Sequence, residues 1–204
     1  MASIDTGRVE AAVAEILAAI GEDPTRPGLA ATPSRVAESY LEFFSGLGVD
    51  PNIHLADATE IDLAPGELSD VVMLRDIEFR SMCEHHLLPF LGVAHVAYVP
   101  GERVVGLGKL PRVVDTLASR PQLQERLTEE IADVLFEGLG ARGVLVVLDA
   151  SHGCVTSRGA RQPHSTTVTL ATRGTLSDPA ERSGVLALLG SAAATETNKG
   201  LPHG

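Results

Sequence analysis

The stretch Leu91-Gly92-Val93-Ala94-His95-Val96-Ala97-Tyr98-Val99 reads as a β-strand, with Val93, His95, Ala97 and Val99 alternating against Ala94, Val96 and Tyr98. Pro100-Gly101 ends it in a turn. Upstream, residues 71–80 alternate in the same way. Downstream, residues 109–119 have a helical pattern, with Pro111 tolerated in a first turn. Pro121 opens a longer predicted helix in which Leu123, Leu127, Ile131, Val134 and Leu135 recur at helical spacing, closed by Gly138 and Gly140. Residues 144–150 form an aliphatic strand and residues 166–172 a β-branched one. The order over 71–174 is strand, strand, helix, helix, strand, strand. It predicts an α+β domain, an antiparallel sheet with helices on one face.

Outside that unit, residues 1–70 read as a helical N-terminal region. Val9, Val13, Ile16, Leu17 and Ile20 share one face of a helix over 8–20. A second helix is expected to start with Thr32 as N-cap and Pro33 at its first position. Residues 47–70 lack periodicity and are expected to be loop with one short extended piece. Residues 175–204 form a C-terminal extension, with a short helix over 178–190 and a small, polar, disordered end over 191–204.

The chain has 204 residues, 44% of them hydrophobic, enough for a substantial core. Its net charge of −11 argues against general binding to nucleic acid or anionic membrane. No basic stretch followed by an apolar segment opens the chain, and no apolar run approaches the ~20 residues of a membrane span. A cytoplasmic protein is expected. The two cysteines, Cys83 and Cys154, make no disulfide framework. By number alone they fit reduced thiols, a single bridge or a metal site.

Two clusters carry candidate chemistry: Cys83-Glu84-His85-His86 and His152-Gly153-Cys154, each at the end of a predicted strand. In an antiparallel sheet two such ends can lie side by side. Cys83, His86 and Cys154 would then offer two thiolates and an imidazole to one ion. Three protein ligands with an open fourth position describe a catalytic rather than a structural zinc site. His85 and His152 are left over, and an imidazole, titrating near ~6.5, can shuttle protons at neutral pH. The nucleobase-deaminase signature is absent. Gly106-Leu107-Gly108-Lys109 lacks the further residues of a P-loop or dinucleotide fingerprint, so on its own it is a strand-to-helix turn. Lys109 and Arg112 nevertheless open a helix, and Arg158 and Arg161 follow the second cluster. They compose either a phosphate pocket or solvated surface charge.

The segment Ser81-Met82-Cys83-Glu84-His85-His86-Leu87-Leu88-Pro89-Phe90 resembles the central signature of the GTP cyclohydrolase I family. So do Gly106-Leu107-Gly108-Lys109-Leu110, the run from Arg120 to Leu127, His152-Gly153-Cys154 with Arg158-Gly159, and Thr32-Pro33-Ser34-Arg35-Val36-Ala37. The likeness keeps order and spacing from about residue 8 to about residue 174. It implies the tunnelling fold, ββααββ, with sheets of several subunits joined into a barrel and a homo-oligomer expected to be a decamer. It implies Zn2+ on Cys83, His86 and Cys154, and proton transfer by His85 and His152. It puts Glu125 on the guanine edge with Gln124 nearby, Glu84 lining the pocket, and Gly108, Lys109, Arg112, Arg158 and Arg35 around the triphosphate. The implied reaction hydrates GTP at C8, opens the imidazole ring, releases C8 as formate and closes a new ring to give 7,8-dihydroneopterin triphosphate. That is the first step of tetrahydrofolate and pterin synthesis. Gly108 stands where the family often has serine, and Thr156-Ser157 is also unusual. The rivals are a related enzyme of the same fold acting on another purine or pterin, and a non-catalytic zinc-stabilised binding module. The unused histidines argue against the second.

Overall fold

The computed structural model describes residues 4–61 and 70–196. Helix α1 spans Thr6–Ala19, capped by the Asp5 carboxylate, which accepts from Arg8 N–H at 3.0 Å. Helix α2 spans Thr32–Phe43. Thr32 does not cap it: Ala31 holds the flanking position and Thr32 is already helical, while Pro33 sits in the first turn as its fixed φ favours. The two helices pack together. A 3-10 turn at Pro51–His54 and a two-residue strand β1, Thr59–Glu60, follow. The remainder of the expected loop, 62–69, lies outside the described residues.

Strands β2 (Val72–Cys83), β3 (Pro89–Val99), β6 (Gly143–His152) and β7 (Thr167–Gly174) pair antiparallel in that order. β4 (Arg103–Val104) pairs with β1. Helices α3 (Lys109–Ala118) and α4 (Gln124–Leu139) connect β4 to β6. The sequence pattern differs from the structure at Pro121. Instead of opening α4, Pro121–Gln122 form a short strand β5 parallel to the end of β2, with Cys83 opposite Gln122. A residue with no N–H is tolerated there because β5 is an edge.

The alternation read from β3 divides the core. Ala94, Val96, Tyr98, Val144, Val146 and Leu148 face α3 and α4, meeting Leu110, Val113, Leu117, Leu127, Ile131 and Leu135. Ala97, Leu145 and Val147 point the other way and are capped by Leu176 and Val185. Val185 belongs to α6, Pro179–Glu196. Within 71–174, α3 and α4 share one face as expected; α6 of the C-terminal extension covers the other, and it runs past the expected limit at 190 to Glu196, into the stretch read as disordered. Residues 197–204 lie outside the described set. Gly140 closes α4 with φ +61, a left-handed cap that glycine adopts without strain. Among the described residues no helix is long and apolar enough to cross a membrane.

Candidate metal centre and its surroundings

β2 and β6 flank β3 and run in the same direction, so both finish at one end of the sheet. They are one strand apart rather than adjacent. Two local devices close the gap. After β2 the chain turns tightly: Cys83 C=O accepts from Leu87 N–H at 2.8 Å and His86 N–H at 3.4 Å, and Cys83 N–H donates to Leu88 O at 2.9 Å. Leu87 takes the left-handed conformation, φ +50, to complete the reversal. The turn brings the His86 imidazole back over Cys83. After β6 a single helical turn, α5 (Gly153–Thr156), carries Cys154 across the start of β3. A Cβ on Gly153 would lie 2.8 Å from Pro89 O, so only glycine permits this approach.

Cys83 Sγ, Cys154 Sγ and a His86 ring nitrogen consequently lie within 4.8 Å of one another. A tetrahedral zinc ion with ligands at 2.0–2.3 Å holds such atoms roughly 3.5–3.8 Å apart, so small side-chain motions would seat it. Cys83 is buried, Cys154 half-buried and His86 exposed, which leaves one side open for a fourth ligand. Two soft thiols and an imidazole suit zinc. Both cysteines are free, and burial, then the neighbouring Cys83, push the Cys154 thiol above its ordinary pKa.

His152 stacks flat on buried Phe90, with ring centroids 4.6 Å apart and planes at 4°. Its Nε2 lies 2.7 Å from Gln124 Oε1. Burial lowers its pKa, against the charge of nearby Glu125, which raises it. Glu125 itself is exposed and lines a cleft of about 510 Å3 with Arg126, Thr128 and Thr169. Glu84 is ion-paired with Arg126, whose Nε donates to Gln122 Oε1 at 3.1 Å. Glu84 N–H donates to Gln122 O at 3.1 Å, so the turn is tied to β5, just ahead of α4. His85 is exposed, its ring 6.2 Å from that of His86.

The remaining cations form separate groups. Lys109 Nζ lies 2.6 Å from the Asp57 carboxylate, which this hydrogen bond holds below the usual carboxylate pKa, with Arg112 adding its charge. Gly108 flanks the helix start, and a Cβ there would meet nothing within 4 Å, so a serine would fit. Arg158 is exposed but close enough to Cys154 to lower its pKa slightly. Arg35 is exposed on α2. Sequence reasoning missed Asp57, Phe90 and Arg126. Nothing local singles out Asp57, whereas Phe90 and Arg126 lie inside segments already marked.

The GTP cyclohydrolase I family model matches residues 9–190. The GTP cyclohydrolase 1 of Leifsonia xyli subsp. xyli is 63% identical over 95% of this chain and 100% of its own length. The corresponding proteins of Rhodopirellula baltica and Clostridioides difficile are 52% and 50% identical, each over 93% of this chain and over 81% and 98% of their own lengths. A crystal structure of an archaeosine synthase QueF-Like protein overlays with a TM-score of 0.42 at 17% identity, covering 51% of this chain and 93% of that one, too loosely to bear on the site. With matches of this identity spanning almost the whole chain, the protein belongs to the GTP cyclohydrolase I family.

Proposed function

We propose that this protein is a zinc-dependent GTP cyclohydrolase I, hydrolysing GTP at purine C8 to formate and 7,8-dihydroneopterin triphosphate. The observation that carries the reading is the convergence of Cys83, His86 and Cys154 within 4.8 Å, in a chain of this family, with two further histidines close by in sequence. A zinc ion held by those three side chains supplies a water whose pKa is lowered to roughly 7.

The chain's own groups do the rest. Glu125 accepts hydrogen bonds from guanine N1–H and the exocyclic amine, the two donors of that edge. His85 and His152 move protons to and from the opening ring. Glu84 borders the pocket through its pairing with Arg126. Lys109, Arg112, Arg158 and Arg35 hold the triphosphate, with Gly108 offering only its backbone N–H where a serine would add a hydroxyl. Exposed Glu125→Ala, if merely a surface change, would be nearly silent. On this reading it costs roughly 1–3 kcal/mol or more of transition-state binding, with zinc retained.

Phosphate cations, Arg112 and Arg35 among them, come from neighbouring chains, whereas Arg158 stands beside Cys154 of the same chain. α3 runs about 15 Å at 1.5 Å per residue, and its last residue, Ala118, precedes the β5 pairing beside Cys83, so Lys109 starts from the far end and Arg112 one turn in from it. The two-residue β5 pairs only with Met82 and Cys83, so among the described residues 72–81 of β2 have no strand on that side, and β7 is the opposite edge. Joining such edges closes a barrel in the tunnelling fold, with a decamer as the assembly, working in the cytoplasm. The test is direct. Zinc-loaded protein incubated with GTP yields formate and, after oxidation, fluorescent neopterin. GTP left intact, or consumed without formate, would overturn the reading. A related enzyme on another purine would show turnover only with that base.

A further inference from the structure

Gln124 and Glu125 are consecutive polar residues at the start of α4, yet they end in different surroundings. Glu125 is exposed, whereas Gln124 is only 1% exposed. A buried primary amide must satisfy two N–H groups and one oxygen. Gln124 Nε2 lies 2.7 Å from Thr167 O, 3.2 Å from Leu148 O and 3.1 Å from Thr169 Oγ1. Two of these are backbone carbonyls, which can only accept. The amide cannot be turned over, because its oxygen would then face both carbonyl oxygens.

The neighbouring hydroxyls run in the same sense. Thr128 Oγ1 donates to Gln124 O at 2.7 Å, so the 2.6 Å contact between Thr169 and Thr128 must be donated by Thr169. That leaves a lone pair on Thr169 for the Gln124 amide. Gln124 Oε1 is thus fixed as an acceptor 2.7 Å from His152 Nε2, and that nitrogen must carry a hydrogen. A neutral imidazole has one ring hydrogen, so Nδ1 keeps the lone pair. Phe90 holds the plane of the ring.

We infer that Gln124 is a positioning residue which locks His152 in the Nε2–H tautomer, leaving Nδ1 as the nitrogen that can accept a proton, and that it does not contact the base. The inference rests on the reading of His152 as a proton-transfer group. An imidazole held in the wrong tautomer loses most of its value as a base.

The test is nitrogen NMR of the zinc-loaded enzyme with 15N-labelled histidine rings, at a pH where the imidazole is neutral, with His152 assigned by difference from His152→Ala. Nε2 is expected in the protonated, pyrrole-like position and Nδ1 in the pyridine-like one. The reverse pattern would overturn the proposal, whether or not any Gln124 variant folds. Gln124→Met is expected to keep zinc and to lower kcat by roughly 10-fold or more, with KM for GTP within about twofold. A raised KM with unchanged kcat would make Gln124 a ligand of the base and also overturn it. Unimpaired turnover in His152→Ala would instead remove the role of His152, a failure separate from the tautomer result.

Discussion

At one end of α3, beside Cys83 and Gln122, the chain gathers two thiols, an imidazole, the buried Gln124 and the half-buried His152. At the other end, around Lys109, it gathers Arg112 and one carboxylate, Asp57. The first region is built by strand ends, a left-handed turn and a glycine approach, and its Gln124 amide is fixed by hydrogen bonds to backbone carbonyls. The second is a helix start with Lys109 about a quarter exposed and Asp57 mostly so. The difference matches what each is proposed to do. Proton movement and metal ligation need fixed geometry, whereas a flexible triphosphate needs charge on movable stems. The two regions sit at opposite ends of one helix, and the proposed assembly brings the metal end of one chain to the phosphate end of another.

The largest expected effect is at the metal end. Cys154→Ser loses zinc and ring opening together, read by metal analysis and formate release. Full metal content with full turnover would remove the centre from the reaction. Next, His85→Ala and His152→Ala each keep zinc and lose roughly 100-fold or more in kcat. Loss of zinc from His85→Ala with retention in His86→Ala would exchange their roles.

The grouping of Cys83, His86 and Cys154 was legible in sequence because residue types able to ligate a metal cannot be disguised. A Cys-x-x-His following an alternating run and a distant cysteine following an aliphatic one are visible without coordinates. The relation of Gln124 to His152 was not, because adjacent residues in a motif look equivalent until helix phase is known. The clue was present: Gln124 lies three and four residues before Leu127 and Thr128, both buried, so it continues the inward face of α4. Reading Pro121 as the helix start hid that phase. The reverse-face packing of α6 was missed for another reason. The large apolar residues of α6 are bunched between Val185 and Leu189, too short a run to mark a face, and only the second parity of Leu145 and Val147 reveals what they cover.

At the phosphate end the effects are smaller. Arg112→Ala is expected to raise KM for GTP by roughly 10-fold or more, as loss of a charge-assisted contact does, with zinc content unchanged. An unchanged KM would return Arg112 to ordinary surface charge. Asp57→Asn releases the Lys109 ammonium for substrate. Since an exposed pair is weak, KM is expected to fall by no more than about fivefold. A higher KM would mean Asp57 orders Lys109 for binding instead of competing for it.

The division of labour between the two ends is tested most directly by mixing chains. Cys154→Ser chains lack the metal centre and Arg112→Ala chains lack a phosphate cation, so each assembly is impaired alone. Co-assembled from both, some interfaces bring an intact Cys83, His86 and Cys154 set of one chain to the intact Arg112 of another. The account predicts that verified mixed oligomers recover part of the formate-releasing activity. No recovery in such oligomers, or a fully active monomer at dilute concentration, would contradict it.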